Sequence, residues 1–291
     1  MIISQALNYG YRQLQKKGIS SAHLDAEVLL SFVIGKSREF VLTHHEKQLT
    51  AGEQRKYLSL LARRAKYEPV AYLLGYKEFY GLKFKVNKKA LIPRPETELL
   101  VETVVDAYHH STGSKPAIID VGTGSGVIAL SLKKTLPQAR ILALEASATA
   151  LSLGRQNAKN LHLSPVFIKS DLLAKVPVKW LGGAILAVNL PYVDQAEVAG
   201  FSREIRLGLK YEPAEAIFSK RQGTAVYEKL FQQISKLSQT AQPALIVAEI
   251  GNYHCKKFLA LANKYFVQSE IELKKDLAGR SRFLIIKLPR G

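Results

Sequence analysis

The sequence predicts an α/β protein: a doubly wound, mostly parallel sheet of seven strands with an antiparallel hairpin at one edge, preceded by a small helical domain. Three observations carry this. From Pro116 onward short apolar runs alternate with amphipathic stretches, the pattern of repeated βαβ units. The last two strand-like runs are joined only by Lys274-Lys275-Asp276-Leu277-Ala278-Gly279-Arg280. That leaves no room for a crossover helix, so one of the two runs antiparallel. Residues 1–76, by contrast, carry apolar positions at helical spacing.

Composition sets wide bounds. With 291 residues, 47% hydrophobic and 23% charged, the chain is long enough for two domains and a buried core. No apolar run approaches the ~18–20 residues of a membrane span. The N-terminal stretch, residues 1–18, reads as an amphipathic helix without the apolar centre of a signal peptide. The single cysteine, Cys255, allows no intramolecular disulfide and no Cys-based zinc site. A cytoplasmic protein without a metal is expected. The net charge of +18 divides into +9 over residues 1–92 and +9 over 93–291. Such a field favours acidic partners or nucleic acid.

In chain order, Ile3, Leu7, Tyr11 and Leu14 mark a first helix that ends at Gly18. Ser21 is placed to cap a second, with Leu24, Val28, Leu29 and Phe32, stopping near Gly35. Thr50-Ala51-Gly52-Glu53 has capping-box spacing and starts a third. His44-His45 reads as a solvated pair. Residues 77–92 change character: Phe79, Leu82, Phe84, Val86 and Leu91, with Gly81 and Asn87 as turn formers, predict a β-hairpin linking the helical domain (1–76) to the rest (93–291). Pro93 and Pro95 then hold an extended segment and fix where Arg94 and Glu98 point, either as an ion pair securing the hairpin or toward a substrate. A helix follows over 99–108. Strands are predicted at 117–121, 140–144, 166–170, 184–188, 244–249, 265–273 and 282–288, with helices at 126–135, 147–160, 223–238 and 252–263. The long connection 193–222 is expected to be a lid over a bound ligand.

The chemistry lies at the predicted strand ends. Asp120 leads into Gly122-Thr123-Gly124-Ser125-Gly126, whose glycines let backbone N–H groups approach a ligand closely. The spacing is neither that of a P-loop, which needs Gly-Lys-Ser/Thr, nor G-x-G-x-x-G, because Val127 stands in the last place. G-x-G-x-G after an acidic strand residue matches the nucleoside loop of S-adenosylmethionine (AdoMet) enzymes. Glu145 ends the second strand, where a carboxylate accepts from ribose hydroxyls. Asp171 ends the third, at the adenine edge, with Leu172 flanking the ring. After the fourth come Asn189-Leu190-Pro191-Tyr192, where Pro191 stops the strand. The Asn189 side-chain oxygen and the Leu190 carbonyl are two acceptors, and Tyr192 supplies a flat face. Together they form a receptor for a planar NH2 group, with Asn189 also beside the cofactor.

Residues 68–75, Leu91 to Glu98, Asp120 to Gly126, Asn189 to Tyr192, Tyr211-Glu212-Pro213 and Lys274 to Gly279 resemble the HemK/PrmC glutamine methyltransferases. The resemblance spans essentially the whole chain. It implies a class I AdoMet-dependent methyltransferase domain with a Rossmann-like sheet, behind a helical substrate-recognition domain. The implied reaction moves a methyl group from AdoMet to the side-chain amide nitrogen (N5) of the glutamine in the Gly-Gly-Gln motif of class 1 peptide chain release factors, which would be the protein partner of a monomer. The family's usual tetrapeptide is Asn-Pro-Pro-Tyr. Here Leu190 replaces the first proline, and the role implied is that of a backbone carbonyl, which leucine also has. Asn189 and Tyr192 are the implied catalytic residues. Two other readings compete. One is an N6-adenine methyltransferase on nucleic acid, to which the same acceptors and the +18 charge are suited; it would need a base-extraction region. The other is a protein that binds AdoMet without turnover.

Overall fold

The computed structural model describes residues 1–289. The chain forms two compact units: Met1–Tyr76 together with Val198–Glu212, and Lys77–Glu197 together with the chain from Pro213 on.

The first unit is helical: α1 (Ile3–Gln15), α2 (Ala22–Ile34), α3 (Arg38–Thr43), α4 (Ala51–Arg64) and α5 (Val70–Leu74). Ile3, Leu14, Leu29, Leu30, Tyr57 and Leu61 form its core. The capping box at Thr50 and Glu53 is present, with each side chain bonded to the other's backbone N–H. Ser21 does not cap α2; its hydroxyl donates to Asp25 instead, 2.9 Å away. The two short helices α3 and α5 have too few turns to show a periodicity and went unpredicted. His44 stacks on Phe40 with ring centroids 3.8 Å apart.

The connection 193–222, expected to be a lid, divides between the units: Val198–Glu212 belongs to the first, while Pro213, Glu215 and Ala216 line a cavity of the second. Its middle forms a short helix, Arg203–Leu209, inside the first unit. Glu204 accepts from the Ser20 N–H (3.0 Å) and hydroxyl (2.8 Å) and pairs with Arg64, which also bonds Asp25 at 2.6 Å. Arg64 is buried, so each carboxylate offsets a charge that burial alone would make costly.

The second unit opens with the hairpin β1 (Tyr76–Phe79) and β2 (Leu82–Lys85). Phe79 and Phe84 are buried with Leu100, Val104 and Leu130, so the hairpin is part of this unit's core and not a free linker. Next come α6 (Glu98–His110), β3 (Ile118–Val121), α7 (Val127–Thr135), β4 (Ile141–Glu145), α8 (Ala148–Leu161), β5 (Val166–Lys169), α9 (Val178–Leu181) and β6 (Ile185–Val188). Counting Arg203–Leu209 as α10, the remainder is α11 (Ala225–Ser235), β7 (Leu245–Glu249), α12 (Cys255–Tyr265), β8 (Glu270–Lys275) and β9 (Ser281–Lys287). The pattern of 265–273 predicts one strand, but helix α12 extends to Tyr265 and the strand starts only at Glu270. Phe266 points into the core after the helix, which is why the run looked continuous.

The seven-stranded sheet has the order β5-β4-β3-β6-β7-β9-β8, with β9 antiparallel to both neighbours. Alternate residues of each strand face opposite layers. Ile119, Val121, Leu186 and Val188 pack with Tyr227, Phe231 and Phe258, while Ile118, Ile185 and Ala187 pack against α6 and α7 residues. The chain runs outward from β3 to β5, then returns to lay β6 on the other side of β3. That reversal opens a crevice at the carboxyl ends of β3 and β6.

Candidate active site

Strand register assembles the site. Val121 pairs with Leu144 on one side and Val188 on the other, and Val188 pairs with Ala248. The next residue on each strand therefore lies at the same edge: Glu145, Gly122, Asn189 and Glu249. A cavity of about 260 Å³ opens there, lined among others by Gly122, Thr123, Gly124, Ser125, Glu145, Asp171, Leu172, Asn189, Leu190 and Pro191. Every predicted cofactor residue reaches this cavity except Gly126, whose role is to begin α7 with φ +86°. A Cβ on Gly126 would lie 3.3 Å from the Gly154 Cα, so side chains are excluded where α7 and α8 approach.

Gly122 adopts φ +80°, and a Cβ there would stand 2.7 Å from the Leu190 Cδ2. The leucine in place of the usual proline thus packs directly over the glycine loop. Glu145 receives the N–H of Gly124 (2.9 Å) and of Ser147 (2.8 Å), one on each carboxylate oxygen. Each oxygen keeps a lone pair for a further donor. Beneath the loop, the fully buried Asp120 accepts from the Thr123 hydroxyl (2.6 Å) and the Ala129 N–H (3.0 Å) through one oxygen, and its other oxygen has no partner. Burial pushes this carboxyl up to about 7. Asp171 borders the cavity, but its carboxylate pairs with Lys229. Both side chains of that pair are more than half exposed, and the carboxylate keeps acceptor capacity at the cavity rim. Leu172, at φ +52°, is buried.

On the other side, the Asn189 Nδ2 donates to Thr97 Oγ1 (3.1 Å) and to Glu249 Oε2 (3.0 Å). Thr97 donates its own proton to Glu249 Oε2 at 2.7 Å, and the Tyr192 hydroxyl donates to Glu249 Oε1 at 3.0 Å. Glu249 is 1% exposed. Burial raises its pKa, and the Thr97 and Tyr192 bonds oppose that rise. The Leu190 N–H donates to the Tyr227 hydroxyl (3.2 Å), which in turn donates to the Glu249 backbone carbonyl. The Leu190 carbonyl lies 3.4 Å from that hydroxyl and keeps acceptor capacity. Tyr192 is not part of the cavity lining. Its ring packs toward Gly251, where a Cβ would lie 3.2 Å from Cδ2, because its hydroxyl is drawn to Glu249. Glu98 accepts the Tyr80 N–H at 2.8 Å and so anchors the hairpin turn, whereas Arg94 lines the cavity.

Sequence reasoning missed Thr97, Tyr227 and Glu249. Only Glu249 left a signal, as a carboxylate ending a predicted strand in the manner of Glu145.

Residues 5–75 match the PrmC N-terminal domain family, and residues 95–199 match the methyltransferase small domain family. A release factor glutamine methyltransferase of Rhodopirellula baltica is 33% identical over 275 residues, covering 93% of this chain and 90% of that protein. Another, from Clostridium botulinum, is 32% identical over 286 residues and 98% of both chains. The chain belongs to the release factor glutamine methyltransferase family. Among solved structures, the hMettl16 catalytic domain in complex with a MAT2A 3′UTR hairpin shares the fold, with a TM-score of 0.57 at 15% identity over 90% of this chain and 92% of that one.

The protein is therefore an AdoMet-dependent methyltransferase, and its cavity fits the methyl donor. Gly122 and Gly124, at φ +80° and +56°, line it with bare backbone, and Glu145 presents two oxygens suited to a ribose diol. No helix among the described residues is long and apolar enough to cross a membrane. Among the same residues no group of three or more His, Cys, Asp or Glu side chains could hold a metal ion.

Proposed function

We propose that this protein methylates the side-chain amide nitrogen of the glutamine in the Gly-Gly-Gln motif of class 1 peptide chain release factors, acting as a cytoplasmic monomer without nucleic acid. The observation that carries this reading is the lateral pairing of Val121 with Val188. It sets the two-acceptor stretch Asn189-Leu190 directly beside the Gly122 loop, so an NH2 group held by those acceptors faces the donor cavity. The release factor is the substrate named for the relatives at 32–33% identity.

Bound in the cavity, AdoMet supplies an electrophilic methyl group on sulfonium. Gly122 to Ser125, Glu145, Asp171 and Leu172 would hold its nucleoside half. An amide nitrogen is a poor nucleophile because its lone pair is delocalised into the carbonyl. Asn189 Oδ1 and the Leu190 carbonyl accept its two N–H bonds and turn the lone pair toward the cavity. Positioning of this kind lowers a barrier by up to roughly 7–11 kcal/mol. The same two acceptors stabilise positive charge developing on nitrogen. Tyr192 borders the glutamine amide from outside the cavity lining, held there by its bond to Glu249. The helical unit, whose residues 1–76 carry 11 Lys and Arg against 6 Asp and Glu for a net charge of +5, grips the release factor away from its glutamine.

The test is incubation with AdoMet and an unmethylated class 1 release factor, followed by mass spectrometry of the Gly-Gly-Gln peptide. One methyl group on that glutamine is expected. An unmodified glutamine, with methyl groups appearing instead on adenine of added RNA or DNA, would overturn the reading.

A further inference from the structure

The buried carboxylate of Glu249 has no place in the reaction as derived so far, yet three side chains converge on it from distant parts of the chain. Thr97 and Asn189 bond one oxygen and Tyr192 the other. A leucine in that position would satisfy none of this set, and a serine or a water only part of it. What the arrangement fixes is the direction of an amide. An asparagine side chain presents NH2 to one side and oxygen to the other, and the two orientations have nearly the same shape. Thr97 has one hydroxyl proton, and it goes to Glu249 at 2.7 Å. The Thr97 oxygen is then only an acceptor toward Asn189. An ionised Glu249 accepts and never donates. Both groups facing Asn189 therefore demand a donor, and only its NH2 end meets that demand. The oxygen is left for the cavity.

We propose that Glu249, with Thr97, is a positioning residue that sets the polarity of Asn189, and thereby makes the site accept an amide NH2 and reject a carboxylate or carbonyl oxygen. The inference rests on the proposed glutamine substrate. If Asn189 turned over, its NH2 would face the substrate nitrogen, donor against donor, and the nitrogen would lose the acceptor that orients it. If the polarity holds, a release factor with glutamate in place of the target glutamine meets two acceptors with an acceptor of its own and is excluded. Through Tyr192 the same carboxylate also holds the outer wall, so both side chains of the motif answer to one group.

The test compares Glu249→Gln, Thr97→Val and Thr97→Ser in the full chain. Gln at 249 keeps the shape but brings an NH2 of its own, so Asn189 is no longer forced to one orientation. Val at 97 keeps the volume and removes the acceptor, whereas Ser restores it. For Glu249→Gln and Thr97→Val, kcat on the release factor is expected to fall roughly 100-fold. KM for the release factor and Kd for AdoMet should stay within about threefold, because remote contacts carry the binding. Thr97→Ser should recover most of the loss. The wild-type protein should bind the glutamate variant of the release factor more weakly than the glutamine form, and Glu249→Gln should narrow that gap. Equal turnover by Thr97→Val and Thr97→Ser, or unchanged discrimination in Glu249→Gln, overturns the proposal. A second readout needs no substrate. The Asn189 side-chain NH2 protons, identified in 15N spectra by their loss in Asn189→Asp, should exchange slowly in the wild type and rapidly in Glu249→Gln. Should the wild type leave release factors unmethylated, the functional reading falls while this exchange measurement still decides the polarity. Fast exchange in the wild type rejects it.

Discussion

The two walls of the cavity are built on different principles. The donor wall, Gly122 to Gly126 with Glu145, is held by backbone: the Gly124 and Ser147 N–H groups fix the carboxylate, and the support lies within about one βαβ unit of sequence. The acceptor wall, Asn189 to Tyr192, is held by side chains brought from elsewhere. Thr97 lies 92 residues away in the chain, Glu249 60 and Tyr227 37 residues from the groups they bond. The wall that binds a cofactor common to many enzymes needs only a local loop. The wall proposed to orient one poor nucleophile is held by side chains from three other parts of the chain.

That contrast predicts how each wall fails. Removing the acceptor itself has the largest effect: Asn189→Ala should lower turnover roughly 100–1000-fold while AdoMet still binds, since the donor wall is intact. Methyl transfer assayed beside calorimetric AdoMet titration checks it, and a parallel loss of both would mean that the walls are not separable. Glu145→Ala should do the reverse. It removes a charged acceptor for the cofactor and strands two backbone donors, so AdoMet affinity should fall roughly 10–100-fold. Turnover at saturating AdoMet should stay close to wild type. A drop in kcat at saturation would place Glu145 in the chemistry instead.

Tyr227→Phe probes the acceptor wall from below. Its hydroxyl links the Leu190 N–H to the Glu249 carbonyl in a fully buried position. Losing it should destabilise the protein by about 1–3 kcal/mol, with turnover reduced less than in Asn189→Ala because the Asn189 bonds remain. Chemical denaturation with matched activity assays would show whether stability and turnover move in that proportion.

The same contrast explains what the sequence disclosed. The glycine loop and Glu145 were legible as cavity residues because each stands at the end of a predicted strand. Asn189 was legible because Pro191 stops the strand beside it. Thr97 was hidden between two residues with louder chemistry, Arg94 and Glu98, and gained its role only when α6 brought it under β7. Tyr227 reads as one more apolar position of α11, and nothing local says that its hydroxyl turns toward Leu190. Asp171 was legible at the cavity from its strand end, and only its pairing with Lys229, one turn into α11 from Ala225, was hidden from the sequence. The segment 198–212 could not be assigned from sequence because what fixes it, Arg64, lies 140 residues away.

The smallest expected effect lies in the donor wall. Asp120 pins the glycine loop from inside the core, and its buried carboxyl is pushed up from 3.8 to about 7. Between those values the folded chain keeps a proton on Asp120 that the unfolded chain has lost. Fewer protons on the unfolded side mean that stability falls as pH rises toward 7, and this contribution levels off above it. Asp120→Asn cannot titrate. Its oxygen can keep the Thr123 and Ala129 bonds while its NH2 occupies the place of the unpartnered oxygen. The variant carries a fixed cost, so its melting temperature relative to wild type should improve from pH 5 to pH 8. Melting curves of the two proteins that run parallel across that range would mean that Asp120 is ionised throughout. In that case the donor wall would rest on a buried charge, as the acceptor wall does at Glu249, and the distinction between the walls would narrow to the distance their supports travel in sequence.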